Sequence, residues 1–93
     1  MIVAEAGRLM VRAPLTIANA RGLLEAGRSA LQAGEQIFDF SQAGAADSSA
    51  LAVMFGWLRA AEMSRSTVKF AHIPAGVLSL AELYGVSDLL PLA

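Results

Sequence analysis

Short alternating stretches and longer stretches of helical spacing follow one another along this chain. Met1-Ile2-Val3-Ala4 is apolar and short, Ala6-Gly7 has turn character, and Arg8 to Arg12 carries Leu9, Met10 and Val11. The pattern predicts two strands joined as a hairpin. Pro14 has no N–H and cannot sit within a central strand. A helix is expected from Leu15-Thr16, with Thr16 as its N-cap. Ile17, Ala20, Leu23, Leu24, Gly27 and Leu31 share one face, Arg21, Glu25, Arg28 and Gln32 fall elsewhere, and Gly34 would close the helix in a left-handed cap. Gly22 and Gly27 each cost about 1 kcal/mol relative to alanine inside a helix. Small residues there would let the helix lie close on a sheet.

Gln36-Ile37-Phe38-Asp39-Phe40 is the clearest strand, with Asp39 as a strand-end carboxylate that accepts hydrogen bonds from loop N–H groups. A second helix is expected over Ser48 to Ser64. On its wheel Ala50, Met54, Trp57, Leu58 and Ala61 cluster, flanked by Leu51 and Val53, while Ser48, Arg59 and Glu62 mark the polar side. Ala52, Phe55, Gly56 and Met63 lie near that polar side, apolar or small where water is expected. Either they form a docking surface running on from Ser48, or the wheel phase is one position off and Phe55 is core. Thr67 to Ala71 alternates as a strand and is followed by His72, read as a structural histidine. Pro74 suits the first turn of a third helix, whose apolar face is Val77, Leu78, Leu80, Ala81 and Tyr84 and whose end is Gly85. Val86 to Leu92 would add a short strand or pack as a tail.

Strand–helix alternation of this kind predicts an α/β fold: a small mixed sheet of about four strands with three helices packed on it, right-handed in its crossovers. The length, 93 residues, fits one domain over 1–93. The apolar fraction of 56% exceeds the usual share, which in a small domain hints at a partner surface, although alanine inflates the figure. A net charge of −1 with no basic stripe leaves nothing to attract nucleic acid. Without cysteine there is no disulfide and no thiolate chemistry, and one histidine beside scattered carboxylates is a poor start for a metal site. No apolar run reaches the length of a membrane span, and the first residues lack the pattern of a signal peptide, so a cytoplasmic location is expected.

The chemistry worth attention lies at Asp47-Ser48-Ser49, where a small-residue loop meets the second helix. All three are good N-cap residues, and the macrodipole favours negative charge there. An ordinary cap with a spare serine explains the cluster; a phosphate added to either serine would also be well placed. No phosphate-binding glycine motif is present, and Ser48 or Ser49 with His72 makes no credible triad, so no catalytic residue, cofactor or metal is expected.

The run Asp39-Phe40-Ser41, a small loop, then Asp47-Ser48-Ser49-Ala50-Leu51 opening an apolar helix resembles the STAS domain, the family of anti-sigma-factor antagonists and sulfate-transporter tails. The resemblance covers essentially the whole chain, with Val68-Lys69-Phe70 and Leu78 to Val86 also fitting. Ala13-Pro14-Leu15-Thr16 stands where the family usually has a turn that begins with glycine. Two classes of the family compete. In the anti-sigma-factor antagonists the pattern is Asp-Ser-Ser-Gly-Leu-Gly, and phosphorylation of the second serine by a partner kinase switches binding off. That serine would be Ser49, but both glycines are alanine here, Ala50 and Ala52. The other class is the small STAS subunit of the Mla phospholipid ABC transporter. It is similar in its minimal length, in the apolar run Leu51 to Phe55, and in the ending Leu80-Ala81-Glu82-Leu83-Tyr84 … Leu89-Leu90-Pro91. In that class the hydroxyl directly after the Asp, here Ser48, lies at the contact with the ATPase. The favoured expectation is a non-catalytic cytoplasmic subunit, peripheral to the inner membrane through its partner. It would dock Asp47, Ser48, Ser49, Ala52, Phe55, Gly56 and Arg59 on an ABC ATPase and support assembly, activity and outer-membrane lipid asymmetry. The alternative is an anti-sigma-factor antagonist switched at Ser49.

Overall fold

Ala6 and Gly7 both hold positive φ, 52° and 76°. Such backbone matches the right-handed twist of the strands it joins, so a tight hairpin forms between β1 (Ile2–Glu5) and β2 (Arg8–Val11), with Glu5 opposite Arg8. In the computed structural model, which describes residues 1–93, this hairpin opens a four-stranded sheet in the order β1-β2-β3-β4. β3 (Gly34–Asp39) runs parallel to β2, and β4 (Ser66–Ala71) runs parallel to β3. The crossovers are α1 (Ala20–Ala30) and α2 (Ser49–Met63), and α3 (Ala75–Leu83) follows β4. The mixed α/β sheet with three helices expected from the alternation is thus the observed one.

The core lies between one face of the sheet and α2. Leu9, Val11, Phe38, Phe40, Val68 and Phe70 line the sheet side and are almost fully buried. Trp57 meets them from α2: its ring stacks on Phe38 with centroids 4.2 Å apart and planes within 6°. Its indole Nε1–H donates to the carbonyl oxygens of Leu23 at 3.1 Å and Leu24 at 3.3 Å on α1. One side chain therefore joins sheet, α2 and α1, and its single polar atom is satisfied as burial requires.

The helix pair is close because its facing residues are small. A Cβ on Gly27 would stand 2.1 Å from Trp57 Nε1, and one on Gly56 would stand 2.5 Å from Leu24 Cδ1. Gly27 of α1 thus serves approach to α2, not to the sheet as the sequence suggests, while a Cβ on Gly22 would stand 3.1 Å from the Met1 side chain at the start of the hairpin. The close helix pair also explains why α2 is apolar over most of its circumference: the sheet covers one side and α1 another.

Several boundaries differ from the pattern reading. Thr16 makes no side-chain cap; a 3₁₀ turn, Ile17–Asn19, precedes α1, and Ile17 is 75% exposed instead of facing the core. α1 stops at Ala30, and Gly34, with φ +100°, opens β3 instead of closing the helix. Tyr84 is exposed beyond the last turn of α3, whose buried residues are Val77 and Ala81. The terminal segment is both a 3₁₀ turn, Ser87–Leu89, and a strand-like edge. Phe70 N donates to Pro91 O at 2.8 Å and Ala93 N to Phe70 O at 2.9 Å. That pairing covers part of the outer edge of β4, which an open sheet otherwise leaves free.

Two glycine substitutions separate space from propensity. Gly27→Ala drives a methyl into the rigid Trp57 ring and is expected to destabilise by about 2 kcal/mol or more, despite the better helix former. Gly76→Ala in α3 meets nothing within 4 Å and is expected to be neutral or to stabilise by up to about 1 kcal/mol. Urea titration of both variants checks this; equal shifts would mean that the α1–α2 seam can yield.

Candidate functional site

The chain before α1 and the chain before α2 run side by side. Leu15 N donates to Ala45 O at 2.8 Å and Asp47 N to Leu15 O at 3.0 Å, a short parallel bridge outside the sheet. The bridge brings two helix starts together, and one carboxylate serves both. Asp47 Oδ2 accepts from Ile17 N at 3.0 Å, at the first residue of the turn that leads into α1. Asp47 Oδ1 accepts from Ser49 N at 2.9 Å, at the first residue of α2, and also from the Ser49 hydroxyl. The Ser49 hydroxyl, the Ile17 N–H and the Ser49 N–H hold the Asp47 carboxyl below its ordinary value of 3.8, against a small opposing effect of burial.

Of the three N-cap candidates, Asp47 is the one that caps. Ser48 stands at the N-cap position with helical backbone (φ −63°, ψ −19°) and makes no side-chain cap bond. Asp47 caps from one residue earlier, and its own carbonyl takes Ala50 N at 3.1 Å. The N–H of Ser49 is therefore not open to an added phosphate. A phosphoryl group on Ser49 would lose the hydroxyl donor and stand beside the Asp47 carboxylate, an unfavourable juxtaposition of like charge. Ser48, by contrast, is exposed with its hydroxyl uncommitted to any protein group.

The remaining docking candidates divide. Ala52 and Arg59 are exposed and with Ser48 lie on one outward side at helical spacing, while Phe55, between them, is half-buried and packs in part against the core. Gly56 is buried against Leu24 and leaves the surface: it belongs to the seam with α1. Sequence reasoning missed Ile17 as a surface residue because its spacing matched the core face of α1. The 3₁₀ turn shifts its phase, and Asp47 holds its backbone at the outside. The three main clefts lie elsewhere; one of about 610 Å³ opens between the hairpin tip and the start of β3, lined by Gly7, Ala33 and Gln36.

A second polar group sits at the end of β3. Asp39 is buried, and burial alone would raise its pKa. The Ser41 N–H, donating to Oδ1 at 2.9 Å, the Ser41 hydroxyl, Arg8 Nη1 at 2.9 Å from Oδ2 and the charge of His72 together hold it low. That is the strand-end role expected of Asp39. His72, read as a structural histidine, has a side chain 63% exposed, 4.0 Å from Asp39 Oδ2, on a backbone with φ +56°. Nowhere do three His, Asp or Glu side chains gather as metal ligands would.

A family model described as "Mlab, STAS domain" matches residues 2–91. No curated protein matches the chain.

The double cap carries a pH signature. Because the folded-state pKa of Asp47 is depressed, its contribution is present above the unfolded value and fades as pH falls through the folded one. The melting temperature gap between the native chain and Asp47→Asn is therefore expected to be widest near neutrality and to narrow below the ordinary value of 3.8. Ser48→Ala, which loses no cap, is expected to stay within about 0.5 kcal/mol of the native chain at every pH. A gap for Asp47→Asn that does not change with pH would show that the carboxylate charge contributes nothing at this corner.

Proposed function

Because the chain belongs to the MlaB-like STAS family, we propose that it is a non-catalytic subunit of an Mla-type ABC transporter for phospholipid. It binds the ATPase of that transporter and supports assembly and activity of the complex, and through it outer-membrane lipid asymmetry. The observation that carries the reading is the outward ridge at the start of α2. Ser48 stands exposed with a free hydroxyl, followed by Ala52, Phe55 and Arg59 on the same side. A small apolar centre beside an arginine suits a protein partner. The mechanism is linkage: a subunit that binds one state of the ATPase more tightly than another shifts the population toward that state. The reading places the chain in the cytoplasm, at the inner membrane through its partner. No helix is long and apolar enough to cross a membrane itself.

Affinity purification of the tagged chain from its own cells in mild detergent tests this. An ABC ATPase with its membrane permease is expected among the captured proteins. Ser48→Arg, a bulky change at an exposed position, is expected to reduce the recovered ATPase by about tenfold or more while leaving the melting temperature unchanged. Full recovery with a folded Ser48→Arg would sink the ridge as the contact. Capture of a small histidine-kinase-like ATPase without a permease would replace the reading with the anti-sigma-factor antagonist, and Ser49 would then be the residue to examine for phosphate.

A further inference from the structure

The sheet has two outer edges, and the fold closes only one of them. β4 is paired in part by the terminal segment at Leu92, whereas no segment pairs with the outer side of β1. The hairpin decides which backbone groups are free there. Arg12 N donates to Met1 O at 2.7 Å, so Met1 and Arg12 form a hydrogen-bonded pair. Bonded and non-bonded pairs alternate along an antiparallel ladder. With Ile2 opposite Val11, Val3 opposite Met10, Ala4 opposite Leu9 and Glu5 opposite Arg8, Val3 and Glu5 turn their backbone groups to β2, and Ile2 and Ala4 turn theirs outward. No lysine, proline or bulge blunts this row, and Val3 on it is 40% exposed.

We propose that this edge pairs with the same edge of a second copy of the chain, antiparallel about a two-fold axis at Val3, so that the two sheets join into one. The free groups select the register. Ile2 opposite Ala4 of the second copy, and Ala4 opposite its Ile2, satisfies every outward group of both strands. A shift of two residues toward the hairpin tip sets Ile2 against Ala6, where φ is +52°, and the opposite shift takes Ala4 past the strand. The side chains agree with that register. On the core side, large Ile2 meets small Ala4, beside the cleft that both residues line. On the other face the two Val3 side chains form a non-hydrogen-bonded pair, the closer kind. Glu5 stands opposite Met1 of the second copy, and Arg12 of that copy is next in the same row. Each Glu5 therefore faces an Arg12 of the other copy, and no like charges oppose each other, as an isologous joint requires. Glu5 and Arg12 also pair within one chain, but over roughly 13 Å of strand, whereas across the joint roughly 10 Å separates them. An edge this short makes a weak, concentration-dependent dimer. It lies apart from the start of α2 and stands or falls independently of the ATPase reading.

Sedimentation equilibrium of the full chain alone, over a range of concentrations, tests the pairing. The native chain is expected to pass from monomer to dimer as concentration rises. Val3→Lys sets two ammonium groups at the axis and is expected to weaken association by about tenfold or more, with the melting temperature of the dilute chain unchanged. Glu5→Arg and Arg12→Glu are each expected to associate more weakly alone and to form a mixed dimer when combined, because each new charge then meets its opposite across the joint while the two charges within each chain are alike. Ser48→Arg is expected to dimerise as the native chain does. A native chain that is monomeric at every concentration overturns the proposal and leaves the edge to a strand of another protein. A dimer that Val3→Lys leaves intact, or that Ser48→Arg abolishes, places the joint elsewhere and overturns it too. A mixture of Glu5→Arg and Arg12→Glu no tighter than either alone overturns the register. Should Val3→Lys unfold, amide exchange of the native chain decides: the Ala4 N–H is expected to exchange more slowly in concentrated than in dilute solution, and a rate that ignores concentration overturns the pairing.

Discussion

The packing of Trp57 decides how the other elements can sit. Its ring lies flat on Phe38 of β3 and beside Phe40, and its indole N–H reaches the carbonyls of Leu23 and Leu24. The stacked pair fixes the height of α2 above the sheet. The hydrogen bonds fix α1 against α2, which is feasible only because position 27 has no side chain. A buried indole without a partner would cost on the order of 1–3 kcal/mol, so the position of α1 and the burial of the ring depend on each other. A larger residue at 27 moves α1 outward and strands the N–H at the same time.

The same constraint sets where a surface can exist. α2 is covered by the sheet on one side and by α1 on another, which leaves a narrow outward ridge. That is why Gly56, small and near the polar side of the wheel, ends in the seam with α1, whereas Ala52 and Arg59 stay outside. Small residues on a helix have two uses, close approach and open docking, and the wheel alone does not separate them. The separation comes from the partner helix, since Leu24 of α1 is directed at position 56.

Much of the fold was legible in the chain. Ala6-Gly7 announced the hairpin, the apolar run around Phe38 the central strand, and Pro74 and Gly85 bracketed α3. The misses share one cause: they depend on contacts between segments far apart in sequence. Ile17 obeys the core spacing of α1, but a 3₁₀ turn and the distant Asp47 carboxylate turn it outward. Asp47, Ser48 and Ser49 are each able to cap α2, and the pattern alone does not choose; Asp47 takes that role, and the Leu15–Ala46 bridge sets a second helix start within its reach. Local propensity names the residues able to cap; tertiary placement chooses among them.

The choice has a consequence for the serines. A hydroxyl that already donates to a carboxylate is poorly placed to meet a partner or to accept a phosphoryl group without first breaking that bond. Ser49 is in that state, and Ser48 is not. Chemistry at this corner is therefore divided by Asp47: Ser49 is drawn into the cap and Ser48 is left for the outside. The division follows from geometry at a single carboxylate. It also accounts for how two adjacent, chemically identical residues can differ, with the hydroxyl of the first left exposed and that of the second bound to the carboxylate that serves both helix starts.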